Sequence, residues 1–136
     1  MKFLIDTNVI SDFVKGHPQV SQNLLARPPE EIAVSAISQM EVEYGLLGLT
    51  GRYEKELRHS LAAFFKTVYV LPFDEHDALS AAKIRSFLKK KGRPIGPYDI
   101  LLAGMAQNRD LIFVTSNTKE FLRVPNLQIA DWRIAA

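Results

Sequence analysis

The stretch Lys2-Phe3-Leu4-Ile5-Asp6-Thr7-Asn8-Val9 reads as a short strand that stops at a carboxylate and gives way to a helix. Phe3 to Ile5 are apolar strand formers, and Thr7 or Asn8 can cap a helix that starts near Val9. The pattern recurs along the chain. Ile32 to Ser35, Val68 to Phe73, Leu111 to Val114 and Leu127 to Ala130 read as further strands, each separated from the last by helical sequence. The first helical region breaks at Gly16 and Pro18, resumes to about Ala26, and stops at Pro28 and Pro29. Ser38 and Glu41 have the spacing of a capping box, with Met40, Tyr44 and Leu47 spaced for one helix face. Arg52 to Phe65 continues in helical pattern. Asp74 can cap a helix that runs to Lys91 and stops at Gly92, and Pro97 suits the first turn of one that ends near Arg109. A short helix around Thr118 to Leu122 completes the set. Strands separated by helices need parallel crossovers, so the expected fold is a three-layer α/β/α sandwich around a parallel sheet of about four to five strands. Residues 1–136 read as a single domain of this kind.

Composition narrows the functions open to such a fold. The 136 residues are 47% hydrophobic, enough for a packed core, and carry a net charge of +2, too little for a protein that coats nucleic acid. Any contact with nucleic acid is therefore local. There is no cysteine, which removes disulfides, thiolate metal sites and cysteine nucleophiles together and fits a cytoplasmic protein. No apolar run is long enough for a membrane span. The phosphate-binding patterns G-x-G-x-x-G and G-x-x-x-x-G-K-[ST] are absent, as is the G-x-S-x-G turn of triad hydrolases. An aspartyl-phosphate phosphatase would need an acid two residues after Asp6, where Asn8 stands.

In a parallel sheet the strand C-termini and the helix N-termini share one edge, and ligands bind there. Asp6 ends the first strand, Glu41 falls in the first turn after the second, Asp99 opens the helix before the fourth, and Asn117 and Glu120 follow the fourth. All are expected at that edge, whereas Asp110 follows a helix C-terminus and belongs at the other. Several carboxylates at one edge repel one another unless a cation is present, and hard oxygen donors select Mg²⁺ or Mn²⁺. Such a cation can activate water and neutralise charge on a phosphodiester without any Cys, His or Ser nucleophile. Each acid also has a local explanation: Glu41 as the partner of Ser38, Asp99 as a complement to the helix dipole, Asp6 as a cap.

The segments LIDTNVIS, MEVEYG, GRPIGPYDILLAGMA and VTSNTKEF, in this order, resemble the VapC toxins of the PIN-domain ribonuclease superfamily. The resemblance covers almost the whole chain. It implies an Mg²⁺-dependent endoribonuclease, the toxin of a toxin–antitoxin pair, that cleaves structured RNA such as tRNA, with the initiator tRNA anticodon loop as one candidate target. It maps the family's acidic positions to Asp6, Glu41 and Asp99 as metal ligands. Many relatives carry a further Asp where this chain has Asn117; Glu120, three residues on, can supply the missing charge. The catalytic set is thus Asp6, Glu41, Asp99, Asn117 and Glu120. The resemblance also implies a VapB-type antitoxin that covers the acidic edge, and a homodimer.

Lys89, Lys90, Lys91 and Arg93 form the densest basic run and precede the Asp99 helix. With Lys119 and Arg123, Lys91 and Arg93 are candidates for RNA phosphate contacts, though lysines at a helix C-terminus are also ordinary dipole complements. Thr7, Asn8 and Ser116 can position water or phosphate behind the metal ligands. Asp74, Glu75, His76 and Asp77 point in different directions on a helix and read as a capped, solvated helix start. Trp132, Phe64 and Phe65 read as packing residues. A competing reading keeps the fold but makes the acidic pocket, weakened by Asn117, chiefly a receptor for a basic segment of a partner protein.

Overall fold

The computed structural model describes residues 1–134. Its elements are β1 (Phe3–Ile5), α1 (Thr7–Val14), α2 (Pro18–Leu25), β2 (Ile32–Ser35), α3 (Ala36–Leu47), α4 (Gly51–Phe65), β3 (Tyr69–Leu71), α5 (Glu75–Lys90), α6 (Pro97–Asn108), β4 (Ile112–Val114), α7 (Thr118–Phe121) and β5 (Ile129–Ala130). The strands form one parallel sheet in the order β3-β2-β1-β4-β5. The chain winds outward from β1 in one direction through β2 and β3, then returns to the other side of β1 with β4. That reversal opens a crevice between the C-terminal ends of β1 and β4.

Alternation along the strands divides the core into two layers. Leu4, Ala33, Leu71 and Phe113 point to the side covered by α5, α6 and α7. Phe3, Ile5, Ile32, Val34 and Val114 point to the side covered by α1, α2 and α4, where Phe64 and Trp132 are also buried. The three-layer α/β/α expectation holds, as does the packing role expected of Phe64, Phe65 and Trp132.

Two helices, α5 and α6, lie between β3 and β4 and pack antiparallel. Asn108 and Arg109 near the end of α6 reach Asp77 near the start of α5, and Gly104 sits against Ala81. A Cβ on Gly104 would lie 2.8 Å from the backbone nitrogen of Ala81, so only glycine permits this approach.

Several local expectations are corrected. Helix α1 starts at Thr7, not near Val9, and its cap is Asp6, whose side chain accepts from the Thr7 N–H. Helix α3 starts under Ser35, whose hydroxyl accepts from the Ile37 N–H; Ser38 and Glu41 form no capping box, and Glu41 stands in the second turn. Met40, Tyr44 and Leu47 do share one face of α3, as their spacing predicts, and that face is the exposed one, Tyr44 at 78%, while Ser38 and Leu46 on the same helix are buried. The acidic start of α5 is capped by Asp74 as expected, but it is not all solvated: Asp77 is 0% exposed. The outer strands β3 and β5 are shorter than the apolar runs that contain them.

Candidate active site

The register pairs Ile5 with Val114, so the next residues, Asp6 and Thr115, face each other across the crevice. Asp6 is 5% exposed. Its Oδ2 accepts from the Thr115 hydroxyl at 2.9 Å and its Oδ1 from the Thr7 N–H at 2.7 Å. Thr115 Oγ1 also accepts from the Asn117 N–H at 3.0 Å, which fixes the turn after β4. Burial raises the Asp6 pKa above its ordinary value; the Thr115 and Thr7 hydrogen bonds oppose this, and the negative fields of Glu41 and Glu120 add to it.

Glu41 enters from α3. Its Oε1 accepts from the Thr7 hydroxyl at 2.8 Å, and the same hydroxyl lies 2.9 Å from Ser38 Oγ. Thr7 has one proton and a carboxylate can only accept, so Ser38 donates to Thr7 and Thr7 donates to Glu41. A relay of two hydroxyls therefore orients Glu41 from both α1 and α3.

Asp99 enters from the first turn of α6, and Glu120 reaches it from α7. Asp99 is pushed up to about 7, first by burial, then by its hydrogen bond with Glu120, then by the charges of Glu120, Asp6 and Glu41. Glu120 is held below its ordinary range: burial pulls upward, but the Asp99, Gly96 N–H and Asn117 hydrogen bonds outweigh it. The two carboxyl groups share a hydrogen bond and titrate as a pair. Gly96 N–H donates to Glu120 Oε1 at 3.1 Å and Asn117 Nδ2 to Oε2 at 2.7 Å.

The structure thus brings Asp6, Glu41, Asp99, Asn117 and Glu120 to one sheet edge, with Thr7 among them. Asn8 is exposed beside Thr7, and Ser116 is half-buried after Thr115. Lys91, Arg93 and Lys119 are exposed; Lys91 lies over the Phe87 ring. Arg123 is engaged otherwise, donating to the Pro94 carbonyl at 3.1 Å. Sequence reasoning missed three residues: Thr115, Ser38 in its role toward Thr7, and Gly96. Thr115 was signalled by its position one residue past a central strand, directly across from Asp6.

None of the four carboxylates forms a salt bridge among the described residues. As placed, no three Asp, Glu or His side chains among the described residues converge at ligating distance on one point. Their oxygens turn to hydroxyls, amides and the shared proton. The donor chemistry nonetheless fits a hard divalent cation, being oxygen throughout, in net negative excess and partly buried.

A parallel sheet with a carboxylate at its central crevice and further acids from the flanking helices makes an α/β domain whose site suits a hard cation and a phosphodiester. The PIN domain family model matches residues 3–127. The chain is 35% identical to the tRNA(fMet)-specific endonuclease VapC of Salmonella typhimurium over 97% of its length and 98% of the relative's. It is 32% identical to ribonuclease VapC1 of Haemophilus influenzae, with the same coverage. Among solved structures, DNA-bound VapBC from Salmonella typhimurium superposes with a TM-score of 0.88 at 32% identity, covering 97% of this chain and 98% of that one. VapBC2 from Rickettsia felis, bound to a DNA fragment from its promoter, gives 0.86 at 29% identity, covering 97% and 99%. The chain belongs to the PIN-domain family, within its VapC ribonucleases.

Proposed function

We propose that the chain is the toxin of a type II toxin–antitoxin pair and acts as an Mg²⁺-dependent endoribonuclease, Mn²⁺ substituting, on initiator tRNA. The observation that carries this is the set of four carboxylates at one sheet edge with no salt-bridge partner among the described residues. Repulsion of that kind is relieved by a proton or by a cation. Asp6, Glu41 and Asp99 would hold the cation, with Glu120 as a fourth charge that offsets the neutral Asn117. A cation held there would neutralise charge on the phosphodiester and lower the pKa of water, so that water could lose a proton and attack phosphorus.

The remaining work falls to the chain's own groups. Thr115 and the Thr7 N–H stabilise the ionised form of Asp6 despite its burial. The Ser38–Thr7 relay keeps the Glu41 carboxylate on the crevice side of α3. Asp99 would ligate as its carboxylate, so a cation would compete with a proton for it. Lys91, Arg93 and Lys119 would hold RNA phosphates, while Arg123 supports the Pro94 loop.

The tRNA(fMet) specificity of the Salmonella relative supports the substrate, and the VapBC assemblies support a VapB-type antitoxin as partner. We assign the pair to the cytoplasm, where tRNA is found; among the described residues no helix is long and apolar enough to cross a membrane. A homodimer follows from the resemblance to VapC toxins. The test is cleavage of total tRNA by the purified chain with and without Mg²⁺. Cutting is expected only with the cation, and Asp6→Asn or Asp99→Asn should lose more than about 100-fold, beyond the effect of a group that merely supports a ligand. Cleavage that survives EDTA would sink the reading.

A further inference from the structure

We infer that Gly96 is a positioning residue: its missing side chain and its amide together set where Asp99 and Glu120 stand. The inference rests on the metal-dependent site proposed above.

Gly96 caps α6 with φ −58° and ψ 153°, a conformation that any L-residue adopts. The backbone therefore does not demand glycine here. Two other features do. A Cβ built on Gly96 would lie 3.0 Å from Asp99 Oδ2 and 3.6 Å from its carboxyl carbon, so a side chain there requires that carboxylate to give by a few tenths of an ångström. The Gly96 N–H, meanwhile, donates to Glu120 Oε1. One residue makes room for the first carboxylate and anchors the second, and those two share a hydrogen bond.

The turn that follows α7 grips the same loop again two residues earlier, through Arg123 and the Pro94 carbonyl. The gap between Asp99 and Glu120 is thus set where residues 94–96 meet α7. The other glycines differ in kind. Gly92 has φ +66° with open space around its Cβ position, so the backbone requires glycine there, and Gly104 is required by the Ala81 backbone. Among the described residues, Gly96 is the one glycine whose added Cβ would meet a titratable side chain.

The test uses the full chain carrying Gly96→Ala, with Mn²⁺ affinity measured by calorimetry and Tm measured without metal. Mn²⁺ affinity should fall about tenfold or more, the usual effect of disturbing a group behind a metal ligand. Cleavage should then show a larger rise in the Mn²⁺ concentration needed than fall in kcat. In an Asp99→Ala background the same substitution should raise Tm, because the clash is gone and the unfolded chain has less freedom to lose. Unchanged Mn²⁺ affinity in Gly96→Ala overturns the inference. So does an equal drop in Tm in both backgrounds, which would mean that glycine serves the backbone. If the unsubstituted chain binds no Mn²⁺, the metal-dependent reading falls and takes the inference with it.

Discussion

Two buried aspartates, Asp6 and Asp77, sit in nearly equal seclusion, at 5% and 0% exposure, and their acidities move in opposite directions. Burial pushes both upward. At Asp77 the Arg109 guanidinium, the Asp74 N–H and the Asn108 amide more than reverse it, and the group ends below its ordinary value. Among the described residues, the donors to Asp6 are a hydroxyl and one backbone N–H, and the charges that act on it are further carboxylates. A buried acid matched by a cation from its own chain is structural. A buried acid left among other acids keeps its charge available for something the chain does not contain.

The sharpest way to break that contrast is Arg109→Ala, which leaves Asp77 buried and unpaired. Stability should fall by about 3–5 kcal/mol, measured by chemical denaturation, while cleavage per folded molecule at moderate temperature stays near the unsubstituted level. A loss of activity with no loss of stability would show that the two ends are not separate in kind.

Acid–base titration offers a second, smaller test. Asp77 has a lowered folded pKa, so its contribution to stability is present above pH 3.8 and is lost as pH falls below it. Asp99 is raised from 3.8 to about 7, so its contribution is present below pH 3.8 and is lost as pH rises through about 7. Without divalent cation, Tm should therefore decline from about pH 4 to about pH 7, and Asp99→Asn should flatten that limb. Saturating Mg²⁺ should reverse its slope, because the cation competes with the proton. A Tm indifferent to Mg²⁺ at pH 7 would count against the cation site.

The smallest expected effect is that of Thr115→Val, which keeps shape and removes the hydroxyl from Asp6. About 1–2 kcal/mol of stability should be lost, with a further rise in the Asp6 pKa that carboxyl NMR would report. If Asp6 titrates unchanged in that variant, the Thr115 hydrogen bond is not what restrains it.

Much of this site was legible in the sequence because it follows from topology. Asp6, Glu41, Asp99 and Glu120 were expected at one edge from the order of strands and helices alone, and a parallel sheet leaves them nowhere else to go. What stayed hidden depended on partners remote in the chain. Ser38 and Glu41 match a local capping motif, yet the strand before them ends at Ser35, which caps the helix and frees both for Thr7. Asp77 looks like any first-turn acid until Arg109 arrives from 32 residues away. The exposure of Met40, Tyr44 and Leu47 was equally invisible, since spacing shows which residues share a face but not what that face meets. The difference between Arg123 and the free basic residues lay in a single carbonyl, that of Pro94.

Helix α6 can also be viewed as a beam. It is clamped at its far end by Arg109 in the grip of Asp77, and wedged at Gly104 directly against the Ala81 backbone. Its twelve residues extend roughly 18 Å, and the loaded tip carries Asp99. The direction of that tip is therefore set by packing more than a turn away from the acid it carries. The Gly104 wedge is enough to hold that aim, so loss of the Arg109 bridge costs stability and spares cleavage.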